Sequence, residues 1–161
     1  MTENELERYI GMYRKSVYAA ALCRCGNPTD ADDAVQDVFL KLYTCGKEFG
    51  DDEHVKAWLL RCVINRCADI KRSHRNKFTV PLEAAESMIH YDSKDLTQSA
   101  LTSALMKLDC KNRTVIYLYY CEGYTVEEIA GMTKLSQTAV RSRIARTREK
   151  LKKLLENERS L

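Results

Sequence analysis

The sequence predicts an all-α protein of two small helical domains, joined by a flexible linker, with a helix-turn-helix in the C-terminal domain. Apolar residues recur at helical spacing along most of its 161 residues, and sustained strand-like alternation is absent. Over residues 78–98 this periodicity weakens, Pro81 occurs, and acidic residues outnumber basic ones. We therefore predict domains at residues 1–77 and 99–161, with residues 78–98 as the linker.

Composition restricts the class of protein. The chain is 45% hydrophobic and contains six glycines and two prolines, which excludes a disordered or collagen-like chain. Its longest apolar stretches, Val17–Cys23 and Thr114–Cys121, are much shorter than the roughly 18 residues that span a bilayer. The acidic N-terminal segment follows a helical pattern and does not resemble a secretory signal. We expect a cytoplasmic protein without membrane segments.

Three apolar stripes predict three helices in the N-terminal domain. The residues of the first stripe are Leu6, Tyr9, Ile10, Tyr13 and Val17. Those of the second stripe, after the helix-starting residues Thr29 and Asp30, are Val35, Val38, Phe39 and Leu42. Those of the third, in a helix over about residues 54–75, are Val55, Trp58, Leu59, Cys62, Val63 and Ile70. We expect each stripe to be buried, with Trp58 as a core anchor.

Helical spacing continues in the C-terminal domain at Leu101, Leu105, Leu108, Val115, Ile116 and Tyr119. Thr125 and Glu128 then fit a capping box at the start of a short helix. Ser136 is a good N-cap for a longer helix, and Lys134 occupies the turn position that commonly needs a left-handed residue. A short helix, a tight turn and a longer helix together predict a DNA-reading helix-turn-helix.

The longer helix of this motif has two chemically different sides. At about 100° per residue, one side is mainly apolar and consists of Val140, Ile144, Thr147, Leu151 and Leu154. The opposite side consists of Arg141, Ser142, Ala145, Arg146 and Arg148. Residues 134–153 include eight basic residues and one acidic residue, Glu149, which alone cannot neutralise the arginines. The basic side suits the major groove; the alternative is an ordinary amphipathic helix with a solvated basic face.

The seven cysteines do not indicate a metal site. No CxxC pair occurs, only Cys23 and Cys25 come close to one, and the three histidines are scattered away from them. In a reducing cytosol, thiols on apolar helix faces behave as small hydrophobes. We expect neither a metal nor a cofactor.

Three segments carry a resemblance to a known family. They are Asp32–Phe39, with the sequence DDAVQDVF, Ala57–Asp69, with the sequence AWLLRCVINRCAD, and Val140–Ile144. Each is weakly specific alone, but in this order and in a chain of this length they resemble an extracytoplasmic-function sigma factor of bacterial RNA polymerase. The resemblance extends from about residue 5 to about residue 155 and implies two helical domains with a variable linker.

The resemblance implies a polymerase-binding helix. In the family, the helix that matches residues 32–42 docks on the clamp helices of the largest polymerase subunit. The residues that it assigns to this polar, mainly acidic surface are Asp32, Asp33, Gln36, Asp37 and Lys41. The residues alone leave a second explanation open, because acidic side chains near a helix N-terminus also interact favourably with the helix dipole.

The resemblance also implies two DNA-binding surfaces. The residues assigned to the melted minus-ten strand are Arg61, Asn65, Arg66, Asp69, Arg72 and Arg75. Among them, Asn65 matches the position that helps to hold a flipped base, and Asp69 is expected to orient a neighbouring arginine. The residues assigned to the minus-thirty-five duplex are Gln137, Thr138, Arg141, Ser142, Ala145, Arg146 and Arg148. Surface charge on a core helix is the alternative for the minus-ten set.

The function implied is that of a transcription initiation factor, not an enzyme, whose partners are RNA polymerase core and promoter DNA. Members of the family are often held inactive by an anti-sigma protein. Two other functions remain open. One is a stand-alone dimeric helix-turn-helix regulator with a sensing N-terminal domain. The other is a thiol enzyme or redox switch built on Cys23 and Cys25 or on Cys62 and Cys67.

Overall fold

The structure, a computed structural model, describes residues 1–73 and 96–159, the second range with side chains from residue 100 to residue 157. The chain divides into two compact units, Met1–Phe78 and Thr79–Leu161. The described residues form seven α-helices and one π-helical turn and contain no strand, so the all-α prediction is confirmed for them. Most of the predicted linker, and Arg75, lie outside the described residues. The domain boundaries stay a prediction.

Residues 1–73 of unit 1 form a bundle of three helices, each in contact with the other two: α1 (Glu3–Cys25), α2 (Pro28–Thr44) and α3 (Asp52–Ser73). Helix α1 begins with a capping box, in which the Thr2 side chain accepts from the backbone N–H of Glu5 and the Glu5 carboxylate accepts from that of Thr2. It ends at Gly26, whose φ of 84° is the left-handed conformation that favours glycine.

Helix α2 begins earlier than the sequence predicted. Asn27 is its N-cap and accepts from the backbone N–H of Asp30 at 2.9 Å, with Pro28 in the first turn. Proline is suited to this place because its fixed φ is helical and its missing N–H would have had no partner there. Thr29 and Asp30 therefore lie inside the first turn and do not start the helix.

The core of unit 1 contains the predicted stripes. Among its fully buried side chains are Val17, Leu22, Leu42, Leu59 and Val63. The N-terminal part of the first stripe, Leu6, Tyr9 and Ile10, is only half-buried. Trp58 is half-buried too, so the expectation that it anchors the core is only partly met.

A polar cluster joins the start of α1 to the start of α3. Arg8 Nη1 lies 2.9 Å from Asp52 Oδ2, and the Tyr9 hydroxyl donates to Asp52 Oδ1 at 3.1 Å. The Tyr13 hydroxyl donates to the Asp52 carbonyl at 3.1 Å. The hydrogen bond from Arg8 holds the pKa of the Asp52 carboxyl below its usual range.

The described residues of unit 2 form four α-helices: α4 (Leu96–Met106), α5 (Cys110–Ile116), α6 (Val126–Thr133) and α7 (Gln137–Arg159). Its core includes Ala104, Leu105, Leu108, Ile116 and Leu151. The buried Arg113 supports the turn between α4 and α5, because its guanidinium donates to the carbonyl of Leu108 at 3.2 Å. Helix α7 contacts α4, α5 and α6, and this packing fixes the α7 face that remains outside.

A π-helical turn, Tyr117–Cys121, follows α5 and corrects one expectation. Tyr119 was expected on the apolar stripe with Ile116, but its side chain is 37% exposed, while Tyr117 and Leu118 are buried. The Glu122 N–H donates to the carbonyl of Tyr117, five residues back, which widens the turn. A spacing of three residues therefore no longer returns to the same face.

Candidate nucleic-acid interfaces

The predicted helix-turn-helix is present as α6, a turn and α7. Thr125 Oγ1 accepts from the Glu128 N–H at 3.2 Å, and the Glu128 carboxylate accepts from the Thr125 N–H at 3.1 Å, so the capping box is confirmed. Lys134 has a φ of 62°, the left-handed value that its position in the turn predicts. This conformation costs a lysine about 1 kcal/mol. Ser136 Oγ then accepts from the Ala139 N–H at 3.1 Å at the start of α7.

The apolar side of α7 packs against the other described helices of unit 2, as predicted. Val140, Thr147 and Leu151 are buried, and Ile144 and Leu154 are half-buried. Arg143, at the edge of this side, is half-buried and donates to Asn112 Oδ1 at 2.8 Å, which joins α7 to α5. This packing leaves the opposite side of α7 outside.

All the residues assigned to the minus-thirty-five duplex are exposed on α7: Gln137, Thr138, Arg141, Ser142, Ala145, Arg146 and Arg148. Arg141 Nη2 donates to Gln137 Oε1 at 3.3 Å, and Arg146 Nε donates to the Ser142 carbonyl at 3.4 Å. Within residues 96–159, as described, no carboxylate forms an ion pair with these arginines. The α7 face therefore presents guanidinium groups that are available to phosphates and to guanine edges.

The acidic face of α2 is also exposed. Asp32, Asp33, Gln36 and Asp37 all face outward, opposite the buried Val35, Val38, Phe39 and Leu42. Leu40 lies on this outward face, one turn beyond Gln36 and Asp37, and is 63% exposed. Sequence reasoning missed Leu40, although an apolar residue at an outward position of an amphipathic helix was the available signal.

Lys41 is exposed but is directed toward α3. Its Nζ lies 5.8 Å from the centroid of the Trp58 ring. Phe49, in the loop between α2 and α3, packs edge-on against Trp58 at 5.6 Å, and Lys47 Nζ lies 5.6 Å from the Phe49 ring. Cations around partly exposed rings are typical of surfaces on which single-stranded bases stack. Sequence reasoning also missed Lys47 and Phe49. The available signal was an aromatic residue two positions after a lysine, in a loop with a glycine on each side.

Five of the six residues assigned to the minus-ten strand lie along α3, and the sixth, Arg75, lies outside the described residues. Arg61 is exposed and Asn65 is half-buried. Asp69 forms an ion pair with Arg72, and its expected orienting role toward an arginine in a DNA complex stays a prediction. Arg66 Nε lies 2.8 Å from Asp37 Oδ2 on α2, a contact that was not expected from the sequence. This hydrogen bond raises the pKa of the Arg66 guanidinium.

Cys62 and Cys67, one of the two thiol pairs considered for a redox function, are poor nucleophiles. All seven cysteines are free, and Cys67 Sγ donates to the Ala21 carbonyl at 3.5 Å. A hydrogen bond with Cys25 and burial raise the pKa of Cys67, and burial raises that of Cys62. Because the thiolate is the reactive form, both changes reduce reactivity. In the part of the chain that the structure describes, no cluster of three His, Cys, Asp or Glu residues could hold a metal ion.

None of the described helices is both long enough and apolar enough to cross a membrane.

Two family models match the chain in sequence order: Sigma-70 region 2 over residues 9–77, and Sigma-70 region 4 over residues 98–151. The RNA polymerase sigma factor CnrH of Cupriavidus metallidurans is 33% identical over 142 residues, covering 80% of this chain and 74% of CnrH. The chain belongs to the ECF sigma factors of bacterial RNA polymerase.

Other comparisons agree with this family. The ECF sigma factor SigM of Mycobacterium tuberculosis is 34% identical over 126 residues, which cover 78% of this chain. The match spans 64% of the length of SigM, slightly less than two thirds. A solved structure of CnrH in complex with the cytosolic domain of CnrY has a TM-score of 0.66 and 29% identity, covering 97% of this chain and 90% of CnrH. Since the N-terminal unit matches sigma region 2, a stand-alone regulator with a sensing domain is not favoured.

Proposed function

We propose that this ECF sigma factor binds RNA polymerase core and directs it to specific promoters. Unit 2 binds the minus-thirty-five duplex and unit 1 binds the melted minus-ten strand. The observation that carries the proposal is the occurrence in one chain, in order, of regions 2 and 4, the second with an exposed arginine face on its recognition helix. The protein makes and breaks no covalent bond, and it acts where the polymerase acts, in the cytoplasm.

In the proposed minus-thirty-five complex, α7 enters the major groove. Arg141 lies on the exposed face, toward the N-terminal end of the helix, where helix-turn-helix proteins contact base edges. The small side chains of Ser142 and Ala145 allow close approach to the groove. Arg146 and Arg148 continue along the helix as phosphate contacts. A bidentate arginine–guanine pair contributes about 1–3 kcal/mol of discrimination.

In the proposed minus-ten complex, α3 and the loop before it hold an unpaired strand. Asn65 offers both a donor and an acceptor to a base edge, and its half-buried position limits the freedom of its side chain. Trp58 and Phe49 supply ring surface, and Lys47 and Arg61 supply charge. Lys41, which the resemblance assigns to the polymerase surface, adds a charge here because its Nζ lies near the Trp58 ring. Stacking contributes about 1–3 kcal/mol per base. Such contacts offset the few kcal/mol needed to extrude a base.

The proposed polymerase contact is the outward face of α2. Carboxylates of Asp32, Asp33 and Asp37 provide charge complementarity to a basic partner helix, which favours fast and correctly oriented encounter. Leu40 provides apolar area among them, which the charges alone do not. A combined charged and apolar surface of this kind is more typical of a partner-binding face than of helix-dipole stabilisation alone.

A protein inhibitor is the second proposed partner. The related CnrH is solved in complex with the cytosolic domain of CnrY, and this chain aligns with 90% of that CnrH structure. We infer that an inhibitor protein binds this chain and covers surfaces that core or DNA would otherwise contact.

The test is transcription in vitro from a genomic fragment library, with core polymerase and the purified chain. We expect start sites that share upstream and minus-ten sequences. Asn65→Ala is expected to reduce promoter opening, and Arg141→Ala to reduce upstream recognition. Light scattering on the promoter complex should show one copy of the chain. A dimer on a palindromic site, or start sites identical to those of core alone, would overturn the proposal.

A further inference from the structure

An ion pair connects the two surfaces of unit 1 to which separate partners are assigned. Arg66, on the strand-binding helix α3, directs Nε to within 2.8 Å of Oδ2 of Asp37 on the acidic face of α2. We propose that Asp37 is a positioning residue that occupies Arg66 in the free chain and releases it when polymerase core binds the Asp37 carboxylate. This inference rests on the proposed function, since it assigns core to one side of the ion pair and DNA to the other.

Two of the three described arginines on α3 are paired with carboxylates in the free chain. Arg66 is paired with Asp37, and Arg72 is paired with Asp69. Two of the guanidinium groups assigned to the minus-ten strand are therefore already bonded to carboxylates. Each carboxylate also repels an approaching phosphate, so the face offers a nucleic acid less positive charge than its sequence suggests. On α7, by contrast, the described arginines have no carboxylate partner.

The two ion pairs differ in whether their members lie on one helix or on two. Asp69 and Arg72 lie three residues apart on one helix, so their pairing needs no partner helix. Asp37 and Arg66 are 29 residues apart and meet only because α2 packs against α3. The Asp37 carboxylate belongs to the surface assigned to core, whereas Asp69 belongs to the DNA surface. Only the Asp37–Arg66 pair therefore joins the two surfaces.

The strength of the contact suits a reversible device. The side chains of Asp37 and Arg66 are 48% and 46% exposed, so water screens the pair. Exposed pairs of this kind are weak, and losing one shifts an equilibrium by about fivefold or less. A basic side chain of core can therefore replace Arg66 at Asp37 without a large penalty. By linkage, a strand that engages Arg66 should strengthen core binding by the same factor.

The first measurement uses the full chain without polymerase. Binding of a labelled single-stranded oligonucleotide is followed by fluorescence anisotropy at several salt concentrations. Asp37→Asn should raise the affinity about two- to fivefold and steepen the dependence of log K on log salt by about 0.7, the value for one additional phosphate contact. Asp33→Asn is the matched control, because it removes the same charge from the same helix face and leaves the Asp37–Arg66 pair intact.

A double-mutant cycle separates release of Arg66 from a general change in charge. In an Arg66→Gln background, Asp37→Asn should have no more effect than Asp33→Asn. If Asp33→Asn and Asp37→Asn strengthen binding equally, or if the cycle is additive, the proposal is wrong. Asp37→Ser, together with thermal unfolding of every variant, shows whether a change reflects loss of the fold.

A second measurement keeps this inference distinct from the proposed function. The affinity of the unmodified chain for core polymerase is determined, with and without the oligonucleotide. Absence of core binding defeats the proposed function and the release step, even when the free-chain cycle shows coupling. Core binding without coupling in the cycle defeats only the inference about Asp37.

Discussion

Lys134 shows how a single residue can hold strain without changing the fold. It is the one non-glycine residue with positive φ in the described ranges 1–73 and 96–159, and it ends α6 at the turn of the helix-turn-helix. A Cβ in the left-handed region approaches the carbonyl oxygen of its own peptide. The capping box before α6 and the Ser136 cap after the turn keep the chain in this path nonetheless.

Lys134→Gly should therefore stabilise unit 2 by about 1 kcal/mol, because glycine adopts this conformation without the steric cost. Gly123→Ala is the reciprocal control. Its φ is 74° and a methyl group added there would meet no other atom within 4 Å, so only backbone strain changes, and unit 2 should lose about 1 kcal/mol. Urea unfolding followed by circular dichroism measures both. The same sign for the two variants would contradict this account of the turn.

Arg141 and Arg143 are two residues apart on α7 but have different roles. Arg141 is exposed, so Arg141→Ala should weaken promoter discrimination about 5- to 150-fold and leave the free energy of unfolding nearly unchanged. Arg143 donates to Asn112, so Arg143→Ala should instead cost about 1 kcal/mol of stability. Holoenzyme binding to matched and mismatched minus-thirty-five duplexes, beside urea unfolding, distinguishes them. A larger discrimination loss for Arg143→Ala would reverse the assignment.

At the scale of elements, helix faces were predictable and contacts between helices were not. The periodicity of α2 indicated its buried and exposed sides, and the angles around α7 placed Val140 inside and Arg141 outside. The Asp37–Arg66 pair and the approach of Lys41 to Trp58 depend on how α2 crosses α3, which periodicity along one helix does not determine. The π-helical turn was likewise not predictable from periodicity, because it depends on local hydrogen bonds such as that from the Glu122 N–H to the Tyr117 carbonyl.

The junction of α1 with α3 predicts a dependence on pH. The pKa of Asp52 is lower in the folded chain than its ordinary value of 3.8, because Arg8 and Tyr9 hydrogen-bond to the carboxylate. The unfolded chain therefore binds this proton at higher pH. The contribution to stability is full above the ordinary pKa and is lost as pH falls through the folded pKa.

Asp52→Asn should consequently flatten the acid side of the stability profile of unit 1. Fluorescence of Trp58, the single tryptophan of the chain, reports this unit in acid titrations of both proteins. Asp51→Asn is the control, because that exposed carboxylate contacts His54 instead of Arg8. An unchanged acid slope in Asp52→Asn would show that the cluster does not contribute.

Helix α2 makes a separate prediction through Leu40. If the outward face of α2 binds core, Leu40→Ala should lower the affinity for core about 5- to 30-fold, because the smaller alanine side chain buries less apolar area on binding. Met12→Ala is the matched control, since Met12 is 47% exposed on α1, outside this face. Equal loss in both variants, measured by titration calorimetry, would indicate a general effect of surface hydrophobicity.

At the scale of the whole molecule, each unit has its own core and presents its own polar surface. Unit 1 carries the acidic face of α2 and the mixed aromatic and basic surface around α3, and unit 2 carries the arginine face of α7. In the proposed function these surfaces contribute binding energy to one assembly, so the opened promoter is favoured by contacts that no single unit supplies.

The most direct test compares promoter selectivity with and without core polymerase. Affinities are measured by gel shift for a cognate promoter and a scrambled duplex of equal length and at equal salt. We predict that the free chain binds both weakly, with steep salt dependence, and that a large preference for the promoter emerges only when core is present. Equal promoter preference with and without core would contradict the account.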